Sequence, residues 1–202
     1  MDARRVNPLV DGVRRKRDSN EIAELLASLG IGASPVVIYG AHGGSDAAFL
    51  WWTLRAAGHA DVWILDGGFD AWRGEGLLVT ADVAAASPTE PLPLAPDPTA
   101  EICIDEMKRR LGDPALHVFD TRGPDEFSGE DQLAERGGHI PGARLLPWDR
   151  LLGGAPPRRA EESVLRAHLA GALESSEAVT YCQSGPRAMH TYAVLEMLGH
   201  PR

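Results

Sequence analysis

The chain has 202 residues, of which 44% are hydrophobic, and a formal net charge of −9. This length and hydrophobic content suffice for one or two ordinary globular domains. A negative net charge without a basic stripe argues against nucleic acid as a partner. The longest apolar runs, such as residues 36–39, have the length of a strand. They are too short to cross a bilayer, so we expect no membrane partner.

The N-terminus and the cysteines predict a cytoplasmic protein without cofactors. Residues 1–5 are followed by no apolar signal core, so we do not expect export. The two cysteines, Cys103 and Cys182, do not make a disulfide framework. No spacing of histidines and cysteines suggests a metal site, and no glycine-rich loop fits a nucleotide. We therefore expect neither a metal nor a cofactor.

An internal repeat organises the chain. Residues 36–40 predict a strand, which leads through a glycine-rich loop to a helix ending near Gly58, and a further strand follows over residues 62–65. Residues 178–182 repeat this pattern, with a helix ending near Gly199. Strands that alternate with helices predict an α/β fold with a parallel sheet covered on both faces. Ligands of such sheets bind at the carboxyl ends of the strands.

A proline-rich segment separates the two copies. Residues 86–99 contain five prolines and show no apolar periodicity, so we expect an extended linker on the surface. Residues 1–85 precede it and residues 100–202 follow it.

The second copy begins with more elements than the first. A helix is expected around residues 104–111, a buried strand at residues 117–120 and a second helix near residues 161–173. The strand that ends at Tyr181 and the last helix then follow. Four residues at helical spacing are expected to pack that last helix on the sheet: Ala188, Tyr192, Leu195 and Leu198.

Cys182 is the strongest candidate for a reactive residue. It follows the apolar run 178–181 and precedes a loop, residues 183–187, that opens the last helix. The unpaired N–H groups of a helix N-terminus and the charge of Arg187 both favour a thiolate. The alternative is a structural cysteine, acting as a small buried hydrophobe at a strand end.

Three segments resemble signatures of the rhodanese family. Residues 181–188 resemble its active-site loop, in which a cysteine heads a six-residue loop and carries a persulfide. A second signature is matched by residues 120–129, which contain Asp120-Thr121-Arg122 and Glu126-Phe127, and by residues 138–143. Residues 65–72 are similar to the segment that normally closes a rhodanese domain. The chain is identified on these motifs as a member of the family.

The resemblance implies two rhodanese-like α/β domains with parallel sheets. Residues 1–85 would form an incomplete and inactive copy, because Gly40 stands where the nucleophile is expected. Residues 86–99 would be the linker. Residues 100–202 would form the catalytic copy, without its C-terminal segment. This reading implies a tandem-domain sulfurtransferase.

The activity implied by the resemblance is sulfur transfer through Cys182. The cysteine would take the outer sulfur of thiosulfate and release sulfite. A thiophilic acceptor, such as cyanide, a small thiol or a thiol-bearing protein, would then remove the sulfur from the persulfide. The substrate-binding residues would be Gln183, Ser184, Gly185 and Arg187. Ser184 resembles a serine of the 3-mercaptopyruvate type, so that donor stays open. Glu126 is expected to repel a dianionic donor.

Several neighbours of the loop are expected to have supporting roles. Asp120 and Arg122 suit a salt bridge that positions the loop. His139 is expected to anchor a turn, and His190 to lie at the surface of the last helix. Pro186 lacks an N–H and removes one possible donor from the loop.

Two rival functions remain at this stage. A phosphatase or arsenate reductase of related fold would have five residues between its cysteine and arginine, whereas four separate Cys182 from Arg187. A non-catalytic module would only carry a persulfide or bind a partner.

The second copy stops at residue 202 where the first continues into a strand. The sequence allows a trimmed fragment, or half-domains that complement each other within or between chains, and we expect self-association through the apolar edge left open.

Overall fold

The computed structural model describes residues 9–10, 13–14, 17–83 and 85–201. The chain divides into two compact units, Met1–Pro98 and Thr99–Arg202. Residues 1–5, which carry the prediction about export, lie outside the described part. None of the helices described is long and apolar enough to cross a membrane.

The first unit alternates short strands with helices. Its elements are β1 (Leu9–Val10), β2 (Val13–Arg14), α1 (Ser19–Ser28), β3 (Val36–Ile38), α2 (Ser45–Ala57), β4 (Val62–Ile64) and α3 (Gly68–Gly74). Strands β1 and β2 form an antiparallel pair. Strands β3 and β4 pair in parallel, with Val36 opposite Val62 and Ile38 opposite Ile64.

Helix α1 has a sequence signal at its start. The Asp18 side chain accepts a hydrogen bond from the backbone N–H of Glu21, and the Glu21 side chain accepts one from the N–H of Asp18. This reciprocal arrangement satisfies two N–H groups that a helix start otherwise leaves unpaired. Ile22 and Leu26, four residues apart, form its buried face.

The proline-rich segment lies along the first unit. The N–H of Thr89 donates to the carbonyl of Ala27 at 3.0 Å, and the N–H of Asp97 donates to that of Ala56 at 2.9 Å. Gly58, which ends α2 with φ 107°, permits the close approach, since a Cβ there would lie 2.3 Å from the carbonyl oxygen of Ala95. The segment is therefore bound to the helices α1 and α2.

The second unit contains a three-stranded sheet. Its elements are α4 (Ile104–Arg109), β5 (Leu116–Asp120), α5 (Pro124–Ser128), β6 (Arg144–Leu145), a 3-10 helix (Trp148–Leu151), β7 (Leu152–Gly153), β8 (Arg158–Arg159), α6 (Glu162–Leu173), β9 (Glu177–Tyr181) and α7 (Pro186–Met197). The strand order is β6-β5-β9 and both pairings are parallel. The α/β fold with parallel sheets predicted from the sequence is confirmed.

The core of the second unit joins its sheet to two helices. Phe119 of β5 and both Leu165 and Leu169 of α6 are fully buried, and they cluster with Val194 and Leu195 of α7. Of the face predicted for the last helix, Ala188, Leu195 and Leu198 are buried and Tyr192 is half-buried. This packing holds the N-terminus of α7 at the carboxyl end of β9.

One prediction about an individual residue is wrong, and it concerns the last helix. His190, predicted at the surface, is buried. It lies one turn before the buried Val194, and its ring meets Trp148 edge-on with 5.2 Å between the ring centroids. Cys103 is exposed at the N-cap of α4, beside Ile104, which also faces outward and is 73% exposed.

We predict that Leu165→Ala lowers the free energy of unfolding by about 2–5 kcal/mol, because it opens a cavity in a fully buried cluster. Val164→Ala is the matched control, since its side chain is 43% exposed, and it should cost less than about 0.5 kcal/mol. Chemical denaturation followed by circular dichroism measures both variants. Equal effects would show that Leu165 does not belong to the core.

Candidate active site

Cys182 lies at the junction of strand β9 and helix α7. It is the first residue after the strand, and residues 183–185 lead to Pro186, the first residue of the helix. The thiol is half-buried, and its Sγ accepts a hydrogen bond from the backbone N–H of Gly185 at 3.1 Å. A donor already directed at the sulfur can stabilise negative charge that develops there.

The loop backbone depends on Gly185 and Pro186. Gly185 has φ 107°, in the region that favours glycine, and this conformation turns its N–H toward Cys182. Pro186 is the first helical residue, where a backbone N–H has no intrahelical partner in any case. The missing N–H of Pro186 therefore costs the helix no hydrogen bond. The side chains of Gln183 and Ser184 are exposed on the same loop.

Arg187 is held by a buried carboxylate. Its Nη1 donates to Oε2 of Glu126 at 2.5 Å and its Nη2 to Oε1 at 2.8 Å. The hydrogen bonds with Glu126 are the main cause of the raised pKa of Arg187, and the neighbouring Cys182 contributes to it. The same ion pair lowers the pKa of Glu126. Arg187 therefore pairs with Glu126 and is also close enough to Cys182 to interact with it.

Glu126 is a residue of this site that sequence reasoning treated only as a source of repulsion. It lies in the first turn of α5, where its Oε2 also accepts the backbone N–H of Gly123 at 3.1 Å. Its side chain is 9% exposed. The sequence signal that could have found it is a glutamate three residues into a helix that begins with Pro124, because this position favours a carboxylate that bonds back to the helix start.

A second ion pair lies at the end of the neighbouring strand. Nε of Arg122 lies 2.9 Å from Oδ1 of Asp120, and Nη2 lies 2.6 Å from Oδ2. Burial acts to raise the pKa of Asp120, but the hydrogen bonds from Arg122 and Tyr181 outweigh it and the pKa is lowered. Asp120 is therefore a buried carboxylate that stays charged.

Tyr181, the residue before the nucleophile, is hydrogen-bonded to this ion pair. Its hydroxyl donates to Oδ2 of Asp120 at 2.7 Å and accepts the backbone N–H of Ile140 at 3.1 Å. Burial, together with the hydrogen bond to Asp120, raises the pKa of Tyr181 to about 12. The phenol is thus a neutral donor at neutral pH, and Cys182 follows an anchored residue.

Arg122 and His139 connect the segment of residues 138–143 to the neighbouring parts of the site. Nη2 of Arg122 donates to the carbonyl of Gly138 at 2.8 Å. Nδ1 of His139 lies 2.8 Å from the carbonyl oxygen of Phe127, and the two rings stack with 3.6 Å between centroids. Both side chains thus contact the scaffold of the site.

Six of the eight predicted site residues form two groups, whereas Gln183 and Ser184 are exposed on the loop. Cys182, Gly185 and Arg187 converge at the sulfur. Asp120, Arg122 and His139 form the adjacent network, which is linked to the loop through Tyr181. Within the described ranges, no group of three or more histidine, cysteine or acidic residues could hold a metal ion.

Comparisons with known proteins give a consistent result. The family model "Rhodanese-like domain" matches residues 3–75 and 104–202. A thiosulfate sulfurtransferase of Azotobacter vinelandii is 34% identical, over 96% of this chain and 72% of its own length. "Putative thiosulfate sulfurtransferase 1" of Mycobacterium bovis is 32% identical, over 95% of this chain and 73% of its own length.

A solved structure shows the same fold. SseA from Escherichia coli, a 3-mercaptopyruvate sulfotransferase according to its description, superposes with a TM-score of 0.85 at 24% identity. The superposition covers 100% of this chain and 77% of SseA.

We predict that Asp120→Asn destabilises the protein by about 3 kcal/mol or more at pH 7, since it leaves the largely buried Arg122 without its partner. The pKa of Asp120 is lowered in the folded state, so its contribution is present above the unfolded pKa of about 4 and is lost as the pH falls below it. The difference in free energy of unfolding between wild type and variant, measured by denaturation at several pH values, should shrink toward pH 3.

Asp105→Asn is the control for this series. Asp105 faces Lys108 with a side chain that is 91% exposed, so we expect almost no change at either pH. A gap between wild type and Asp120→Asn that stays constant from pH 7 to about pH 3 would contradict the role of the Asp120 charge.

Proposed function

The chain belongs to the rhodanese-like domain family, and we propose that it is a sulfurtransferase that moves sulfane sulfur from thiosulfate through a persulfide on Cys182. The observation that carries the proposal is the environment of Cys182 at the start of α7. Its sulfur accepts a hydrogen bond from the Gly185 N–H and neighbours Arg187. Relatives that are 32–34% identical and are named thiosulfate sulfurtransferases support thiosulfate as the donor.

The transfer takes place in two displacements. The Cys182 thiolate attacks the outer sulfur of thiosulfate, a new sulfur–sulfur bond forms, and the original one breaks as its electron pair leaves with sulfite. Cyanide or a thiolate then attacks the outer sulfur of the persulfide. The product is thiocyanate or a new persulfide, and the electron pair of the broken bond restores the Cys182 thiolate.

The loop supplies stabilisation for the charged sulfur. The Gly185 N–H and the N-terminus of α7 act on negative charge at Cys182, and Arg187 adds a cation. The exposed side chains of Gln183 and Ser184 are placed to contact donor or acceptor. We assign Asp120, Arg122 and His139 to holding the scaffold of the loop.

The first unit has a structural role in this proposal. Gly40 follows β3 where Cys182 follows β9, and it offers no thiol. Its carbonyl accepts the N–H of Phe69 at 2.8 Å, and a Cβ on Gly68 (φ +55°) would lie 2.1 Å from that oxygen. The backbone of Gly40 is therefore held against the start of α3, and a Cβ on Gly40 itself would lie 3.3 Å from the Cβ of Ala47.

The chemistry of the Cys182 thiol bears on the sulfur acceptor and on the cellular compartment. The half-buried Cys182 heads a loop with exposed side chains, which suits a small thiol or a thiol borne by another protein. Turnover requires the cysteine to be reduced, and the cytoplasm keeps thiols reduced. We accordingly propose a cytoplasmic enzyme.

Incubation with thiosulfate should add the mass of one sulfur at Cys182 and none at Cys103. Mass spectrometry of Cys182→Ser and Cys103→Ser tests this, and Cys103 is a stringent control because it is exposed. Only Cys182→Ser should lose sulfur uptake and cyanolysis, by at least about a thousandfold in rate. Assays with 3-mercaptopyruvate and with a phosphate ester, run in parallel, distinguish the other donor and the phosphatase alternative. Sulfur uptake that survives in Cys182→Ser would contradict the proposal.

We also propose that the chain self-associates through its first unit. Val37 and Trp63 stand opposite each other on β3 and β4 and are 59% and 62% exposed, and Tyr39, two residues after Val37, is 62% exposed. Exposed apolar clusters of this kind are typical of protein interfaces.

Sedimentation should show a dimer that forms with increasing concentration. Trp63→Lys should raise the dissociation constant of this dimer at least about tenfold. Leu111→Lys, at a side chain of the second unit that is 44% exposed, should leave the equilibrium unchanged. A wild-type monomer at every concentration would contradict this interface.

A further inference from the structure

We infer that Glu126 determines which sulfur donors the loop accepts, because its negative charge offsets that of Arg187 and disfavours donors that carry a second negative charge. The inference rests on the proposed function and goes beyond it. It assigns a specificity role to a residue on α5, outside the loop of the nucleophile.

The geometry keeps the Glu126 carboxylate in place. Both of its oxygens accept from Arg187, at 2.5 and 2.8 Å, and the backbone N–H of Gly123 adds a third hydrogen bond at 3.1 Å. The Glu126 side chain is 9% exposed and that of Arg187 is 28% exposed. A carboxylate bound at three points in a poorly hydrated position cannot turn away from an incoming anion.

Two ion pairs beside the loop are each neutral. Arg187 is matched by Glu126, and the neighbouring Arg122 is matched by Asp120 through two of its guanidinium nitrogens. A donor that approaches Cys182 therefore meets two neutralised ion pairs and the thiolate itself. The attraction that an unpaired Arg187 would exert on an anion is largely cancelled.

The cancellation acts more strongly on donors of higher charge. The repulsion between Glu126 and a donor is proportional to the charge of the donor, so a dianion experiences twice the effect of a monoanion. Thiosulfate carries two negative charges. Methanethiosulfonate carries one, and it offers an outer sulfur of the same kind. In that transfer Cys182 bonds to the outer sulfur, the sulfur–sulfur bond of the donor breaks, and the electron pair leaves with methanesulfinate.

The test compares these two donors in wild type and Glu126→Gln. Glutamine keeps the size of the side chain and one oxygen for Arg187, and removes the charge. The KM for thiosulfate should fall about tenfold and that for methanethiosulfonate about threefold, because the logarithm of the effect scales with donor charge. The value of kcat should change by less than about twofold for either donor, since the charge acts on binding. Added salt should weaken the difference.

Two further variants separate charge from structure. Glu177→Gln is the matched control, because Glu177 also pairs with an arginine, Arg110, at the end of β9 away from Cys182. It should change neither KM. The double variant Glu126→Gln with Arg187→Gln restores a zero sum of charges, and its ratio of the two KM values should return to within about twofold of wild type.

The outcomes are distinct from those that test the proposed function. Equal changes of KM for both donors, or no change, would overturn the inference. If no donor transfers sulfur to Cys182, the proposed function is wrong. The inference is then decided by protection of Cys182 from iodoacetamide. Glu126→Gln should increase the protection of Cys182 by sulfate more than the protection by methanesulfonate. Equal increases for the two anions, or none, would overturn the inference.

Discussion

The site depends on the parallel pairing of β5 with β9. In this register Asp120 and Tyr181 end the two strands side by side, so a buried carboxylate lies next to the residue that precedes Cys182. The burial of Phe119 and the packing of α6 and α7 maintain the pairing. A slip of one residue would turn Asp120 to the other face of the sheet and leave its charge without Arg122 and Tyr181. The position of the nucleophile is thus a consequence of strand register.

Local patterns predicted the elements that carry the chemistry. The strand before Cys182 is a run of apolar residues, and the helix after it begins at a proline, so both boundaries are visible over a few residues. The ion pair of Glu126 with Arg187 joins residues 61 positions apart and depends on how α5 is placed beside the loop. No local pattern reports such a placement. The sequence therefore indicated the charge of Glu126 but not its pairing with Arg187, which the structure shows.

Side-chain exposure was harder to predict than secondary structure. The rotation of α7 about its axis buries His190 against Trp148, a contact with a 3-10 helix that no periodicity had indicated. Cys103 is the opposite case, since it has apolar neighbours in the sequence and is exposed at the start of a short helix, where Ile104 also faces outward. Apolar composition over two or three residues does not distinguish these cases, whereas the four-residue spacing of Ile22 and Leu26 does.

Tyr181 and Pro186 flank the nucleophile loop and restrict its conformations from both sides. The buried hydroxyl of Tyr181 anchors the chain before Cys182, and the pyrrolidine ring of Pro186 limits the backbone after Gly185. A short loop with both ends anchored loses little conformational entropy when a charged sulfur forms within it. The loop is preorganised for that charge, and the reaction does not have to reorder it. For the same reason the loop should tolerate changes of side chain at its exposed positions far better than any change of its length.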